Sequence, residues 1–268
     1  MTPACAGGVA FFALGVRLAD IENAQYCDPR LIGLYDVLNA GDADYLFYER
    51  LIGPGPVSVV DVGCGAGVFA VRLARLGHRV CGIDPAAAML SVARSRDGGD
   101  LVQWLHGVAR QLPADAQFDV AGMTGHAFQC LLTDEAVQET LQAVRAHLVP
   151  GGRFLFESRN PVCAPWLQWS PGRSQRVVVS PDGESVSLHH ALEGDGPDGE
   201  LLAFATHYHF EQSGAELVSR SVLRFMAQAQ IAKHLTLAGF GRVAWYGDWS
   251  GAALTPSSRE LIAEAYCL

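Results

Sequence analysis

The spacing of apolar positions changes several times along the chain, and each change marks an element. Val57, Val59, Val60 and Val62 form a β-branched run suited to a parallel strand buried on both faces. Val68, Phe69, Val71, Leu73, Ala74 and Leu76 then recur at helical spacing, with Gly77 as a stop. Val80, Cys81, Gly82 and Ile83 predict a second strand, with Asp84 at its carboxyl end. Gly63, Gly65 and Gly67 lie between the first strand and its helix. Strand, glycine turn, helix and strand with a terminal acid make a nucleotide-binding βαβ unit.

The same pattern continues on both sides of this unit. Leu31 to Leu51 reads as helical, broken near Gly41, and Ala86 to Arg94 as a helix after Pro85. Val102, Trp104 and Leu105 predict a third strand, and Gln117 to Met123 or Thr124 a fourth. Thr133, Asp134 and Glu135 cap a helix that runs to Leu148. Pro150-Gly151-Gly152 reads as a turn and Arg153 to Glu157 as a fifth strand. Four runs of β composition follow, at 175–179, 185–191, 201–210 and 216–225, separated by turn signals. A helix then runs from Ala227 through Ala238, before strands at Arg242 to Tyr246 and Leu261 to Tyr266.

Composition narrows the class. The chain of 268 residues is half hydrophobic, enough for one large α/β core with an insertion. A net charge of −9 speaks against nucleic acid as a partner. The seven cysteines are odd in number and contain no C-x-x-C, which points to a reduced cytoplasmic protein without a zinc site. Ala4 to Val16 is apolar but too short to span a bilayer and lacks a positive n-region. It reads as a packing arm or a disordered start, with no membrane partner expected. His207 and His209 share a strand face that His189 and His190 could oppose, but half-buried sheet histidines are the default, and no metal is expected.

The glycine loop identifies the ligand class. A dinucleotide fingerprint requires glycine where Val68 stands. Here Asp61 precedes the first glycine, in D-V-G-C-G-A-G. A pyrophosphate has no use for a carboxylate at that place, whereas a ligand with an α-amino group does. The stretch resembles the first motif of class I S-adenosylmethionine-dependent methyltransferases, (D/E)-x-G-x-G-x-G. The helix-P-G-G-strand passage around Pro150 and the terminal helix, A-G-F, strand, loop and strand are similar to that family over residues 30–268.

The resemblance implies a Rossmann-like α/β fold: a seven-stranded, mostly parallel sheet with an antiparallel β-insertion before the last helix. It divides the chain into an arm at 1–29, a core at 30–161 and 225–268, and the insertion at 162–224, a lid or dimer surface. It implies methyl transfer from S-adenosylmethionine to an O, N or C nucleophile of a small molecule. A non-catalytic S-adenosylmethionine-binding protein and a nucleotide-dependent oxidoreductase are the rivals. For the cofactor, it points to Asp61, Gly63, Cys64, Gly65, Asp84, Pro85 and Met89. Many relatives carry an acid where Val108 stands, so backbone groups at Val108 and Ala109 are left to hold adenine. Tyr26, Met123 and Thr124 complete the cofactor set, and Tyr35, Phe128, Arg159 and Asn160 the acceptor set. His126 follows the fourth strand at the ligand edge and is the candidate general base, since its ordinary pKa lies near neutrality.

Overall fold

The structure, a computed structural model, describes residues 23–267. The apolar arm at 4–16 lies outside the described residues. In chain order the elements are α1 (Pro29–Leu38), α2 (Ala43–Ile52), β1 (Ser58–Val62), α3 (Val68–Arg75), β2 (Arg79–Asp84), α4 (Ala87–Ser95), β3 (Gln103–His106), β4 (Phe118–Met123), α5 (Asp134–Ala146) and β5 (Leu148–Arg159). There follow α6 (Pro171–Ser174), β6 (Arg176–Val179), β7 (Ser185–Leu192), β8 (Leu201–Phe210), β9 (Glu216–Arg224), α7 (Gln228–Leu237), β10 (Phe240–Tyr246) and β11 (Glu260–Cys267).

These elements group into two compact units, one of 38–165 and 224–267, the other of 23–37 and 166–223. The first holds the seven-stranded sheet, in the order β10-β11-β5-β4-β1-β2-β3. β1 runs parallel to β2 and β4, while β11 is antiparallel to both β5 and β10. The strand order reverses between β1 and β4, and in such sheets the crevice outside the carboxyl ends at the reversal is where ligands bind. The valines of β1 divide as the period of two requires: Val59 joins the cluster with Phe47, Tyr48 and Phe69, whereas Val60 and Val62 join the one with Phe128 and Phe156.

Local chemistry accounts for the boundaries. α3 begins after Gly67, whose left-handed φ of 79° only glycine adopts freely. The Thr133 hydroxyl accepts from the Ala136 N–H at 3.1 Å and caps α5, with Asp134 and Glu135 in its first turn. β5 is longer than its pattern predicts. Leu148 already pairs with Phe118, the register shifts across the Pro-Gly-Gly segment, and the ladder resumes at Arg153 opposite Val120.

The second unit holds a four-stranded antiparallel sheet in the order β6-β7-β8-β9, at the four β runs of the sequence. His189 stands opposite His207 with the rings stacked 4.9 Å apart. Among the described residues, no group of three or more His, Cys, Asp or Glu side chains could hold a metal ion. α1 groups with this unit, although the pattern assigned residues from 30 onward to the core. Leu31, Ile32 and Leu34 are buried, and the Arg30 guanidinium lies over the Phe210 ring of β8 at 6.0 Å. Among the described residues, no helix is long and apolar enough to cross a membrane.

Candidate functional site

The loop after β1 is closed on itself. The N–H groups of Gly63 and Cys64 both donate to the Ile83 carbonyl, at 2.8 and 3.2 Å, and that of Gly67 donates to the Cys64 carbonyl at 2.9 Å. The Gly65 N–H donates to Asp84 Oδ2 at 2.8 Å, while Asp84 Oδ1 accepts from the Ala86 N–H at 2.7 Å. Asp84 therefore ties the glycine loop to the turn before α4. Arg96 adds a second tie through the Ala66 carbonyl, at 2.9 Å. The indole of Trp104 lies beneath the loop, where a Cβ on Gly67 would come within 2.5 Å of it and a Cβ on Gly82 equally close. Glycine is required at 67 for space as well as for φ.

A loop that cradles phosphate keeps its N–H groups free for the anion. Here four of them are spent within the protein. The carboxylate of Asp61 shows the converse: it is 1% exposed, and neither oxygen has a hydrogen-bond partner among the described residues. Burial, then the nearby Asp84 and Glu157 charges, push it up to about 7. A buried acid without a donor is costly unless a ligand supplies one. The donor set fits S-adenosylmethionine: Asp61 would take its ammonium group and Asp84, with a second lone pair on each oxygen, its ribose hydroxyls.

At the other end of the carboxyl edge, residues from four elements converge. Glu157 of β5 is buried and has a donor on each oxygen. Its Oε1 accepts from the His126 N–H at 2.6 Å, and its Oε2 accepts from the Tyr48 hydroxyl of α2. Burial raises both the Glu157 carboxyl and, further, the Tyr48 phenol above their ordinary values. His126 sits in the left-handed region at φ 61°, a strained place for a residue with a Cβ, and the Glu157 bond holds it there. Its Nε2 lies 2.9 Å from Oε2 of Glu260, the first residue of β11. Glu260 also borders a cavity of about 580 Å³ with Asp248, Trp249, Thr255, Ser258 and Arg259.

Comparison with known proteins agrees with the fold. Residues 59–152 match the family described as "Methyltransferase domain". A cypemycin N-terminal methyltransferase from Streptomyces is 26% identical, over 76% of this chain and 81% of its own. A ubiquinone/menaquinone biosynthesis C-methyltransferase from Rubrivivax gelatinosus is 37% identical over 70% of this chain, which spans 64% of that relative. Among solved structures, the S-adenosylmethionine-bound amino pentose methyltransferase CalS10 from Micromonospora echinaspora superposes with a TM-score of 0.66, at 22% identity, covering 87% of this chain and 96% of its own. The chain carries a methyltransferase domain, and its fold is that of the class I S-adenosylmethionine-dependent methyltransferases. Its cofactor is S-adenosylmethionine, and its reaction is methyl transfer.

In this methyltransferase the expected site residues fall into three groups. Asp61, Gly63, Gly65, Asp84, Thr124 and His126 gather at the carboxyl edge around the strand reversal. Pro85 is exposed there, its carbonyl 3.0 Å from His106 Nε2, and Met89 is buried in the first turn of α4. Tyr26 and Tyr35 belong to the other unit, where their rings lie 6.5 Å apart.

Several expectations are corrected. The Cys64 side chain is buried toward Gly82 and its N–H is committed to Ile83, so it offers the cofactor neither group. The Val108 N–H donates to the Gln111 side chain at 2.9 Å and its carbonyl accepts from the Gln111 N–H, so the Val108 N–H is not free for adenine. Met123 contributes its side chain to the core. Phe128 is fully buried 4.4 Å from the Phe156 ring, so it is a core residue and not an acceptor contact. Asn160 is spent on the chain itself, donating to the Ser258 carbonyl at 2.8 Å and accepting from the Val162 N–H at 3.1 Å. Arg159 donates to Gln129 Oε1 at 2.9 Å.

Tyr48, Glu157, Glu260 and Trp104 were not singled out by sequence reasoning. For Glu260 a signal existed. A strand antiparallel to β5 begins at the edge where β5 ends, so an acid opening the last strand must lie at the ligand edge.

Proposed function

We propose that this methyltransferase acts on a basic nitrogen of a small molecule, with His126 as the base that frees the nitrogen lone pair. One observation carries the reading: carboxylates gather around His126. Glu157 and Glu260 bond to it, and half-buried Asp44 of α2 lies close enough to feel its charge. The Tyr48 hydroxyl is held up by the same three acids, after burial itself. An acid-lined, partly desolvated place favours a cation and disfavours an anion. An amine arrives at neutral pH as ammonium, which such a place attracts. It must lose a proton before it can attack, which a histidine can accept.

S-adenosylmethionine supplies a methyl group on a sulfonium, already a good leaving group. The protein's part is therefore position and proton removal. Asp61 and Asp84 hold the donor from one side of the strand reversal, and Glu157 fixes His126 at the other. The names of two similar proteins, an N-terminal methyltransferase and an amino pentose methyltransferase, support an amine acceptor. Oxygen and carbon acceptors make no comparable use of three acids.

The test is a screen of amino sugars and peptide amino termini, each beside its hydroxyl analogue, with S-adenosylhomocysteine release as the readout. Turnover of amines alone is expected, and turnover of hydroxyl analogues alone would refute the reading. With the best amine, His126→Ala should lower kcat by about 10²- to 10⁴-fold with cofactor affinity within a few fold. Rescue of the rate by excess cofactor would show instead that His126 only holds the cofactor.

A further inference from the structure

We infer that Glu260 is the positioning residue of this site, and that the base is the Nδ1 atom of His126. The inference rests on the reading of His126 as a base and adds which nitrogen acts and what selects it. A carboxylate oxygen can only accept, so the 2.9 Å contact to Glu260 Oε2 places a proton on Nε2. In the neutral ring the lone pair then belongs to Nδ1. Two anchors hold this orientation: Glu157 grips the His126 main chain at 2.6 Å and Glu260 grips the ring. They come from neighbouring strands that pair in register, Glu260 opposite Arg159 and Ile262 opposite Glu157, so ring and main chain are referred to one rigid ladder.

The charge around the ring has the sign this role needs. Glu260 of β11 and Glu157 of β5 bond to His126, Asp44 of α2 lies within range of its charge, and the Tyr48 hydroxyl of α2 is spent on Glu157, so an imidazolium formed there has carboxylates beside it. In the step, the ammonium N–H bond of the acceptor breaks and an Nδ1–H bond forms. The electron pair stays on the acceptor nitrogen, and the imidazolium remains paired to Glu260. Nδ1 returns its proton to water after methyl transfer. Glu260 itself stays a carboxylate throughout, as the acid behind a catalytic histidine does in a serine protease.

The role can be read without the acceptor, by long-range ¹H–¹⁵N correlation of the histidine rings in the S-adenosylhomocysteine complex across pH. The His126 signals are identified by their loss in His126→Asn. The expected result is a protonated Nε2 and a bare Nδ1 in the neutral ring. In Glu260→Gln the preference for the Nε2-protonated tautomer should weaken, and Glu260→Asp should restore most of it. A neutral ring protonated on Nδ1, or an unchanged tautomer preference in Glu260→Gln, overturns the assignment. If Glu260→Gln does not fold, the tautomer in the parent protein still decides. The base reading fails separately: full turnover of an amine by His126→Ala would refute it while leaving the tautomer where Glu260 sets it.

Discussion

At the β1–β2 end of the carboxyl edge, Asp61 has two buried oxygens with no partner among the described residues. At the β4–β5–β11 end, Glu157 is as deeply buried and has a donor on each oxygen. Both acids are raised by the same cause, burial. They differ in what completes them. Asp61 has no donor from the described residues, and in the proposed reading a ligand supplies it; the glycine loop around it is tied by Asp84 and Arg96. Glu157 is completed by the fold and works as scaffold, setting the main chain of His126. One end thus stores an unmet electrostatic need that binding relieves, and the other spends its acid on geometry. Substitutions at the first end should therefore be read in cofactor affinity, and at the second in stability and rate.

The largest effect is expected at Asp84. Asp84→Ala removes the two main-chain ties at Gly65 and Ala86 as well as the proposed acceptor for the ribose. Lost charged hydrogen bonds of this kind cost about 3 kcal/mol together, or roughly a hundredfold or more in cofactor Kd. Calorimetry on the folded variant checks it. An unchanged Kd would place the cofactor elsewhere and dissolve the contrast between the two ends.

The second effect appears in stability. Glu157→Ala leaves the Tyr48 hydroxyl and the His126 N–H without their acceptor inside the core. That should cost about 2–4 kcal/mol in urea unfolding. Where the variant still folds, cofactor affinity should stay within a few fold of the parent. A variant as stable as the parent would mean that the acceptor end is not prebuilt. A large loss of cofactor affinity would mean that the two ends are not separate.

The same contrast explains what the sequence made legible. The cofactor end is written in one stretch, from Asp61 to Asp84, because a glycine loop and the strands beside it are neighbours in the chain. Its period, glycines and acids could be read without knowing any contact. The acceptor end is assembled from residues 48, 126, 157 and 260, on elements that meet only in the fold. Pattern placed Phe128, Arg159 and Asn160 at the right edge of the sheet. It could not say that Phe128 turns into the core, or that Asn160 is consumed in tying β5 to the loop before β11. Nor could it show that Val108 closes its own turn through Gln111, since that depends on one side chain's rotamer. The antiparallel sheet was legible because alternation and turns are local signals. The grouping of α1 with it was not, because a buried apolar face does not name its partner.

The smallest effect tests the unmet need directly, through pH. Asp61 is raised to about 7 from an ordinary 3.8, so the ligand-free folded protein holds that proton more tightly than the unfolded chain. A group raised on folding contributes stability that is full below its unfolded value and lost as pH climbs through its folded value. Between pH 4 and 7 the ligand-free protein should therefore lose stability through this residue. The cofactor ammonium prefers the ionised form, so cofactor affinity should instead fall as pH drops below about 7. Asp61→Asn cannot ionise and should abolish both trends. Its ligand-free melting temperature should exceed the parent's most at pH 8 and by much less at pH 5, while its cofactor Kd at pH 8 rises about tenfold, or ~1.4 kcal/mol. Melting and calorimetry at pH 5 and 8 supply all four comparisons. Equal pH slopes in the two proteins would mean that Asp61 is neutral or solvated, and the site would then hold no preformed place for a cation.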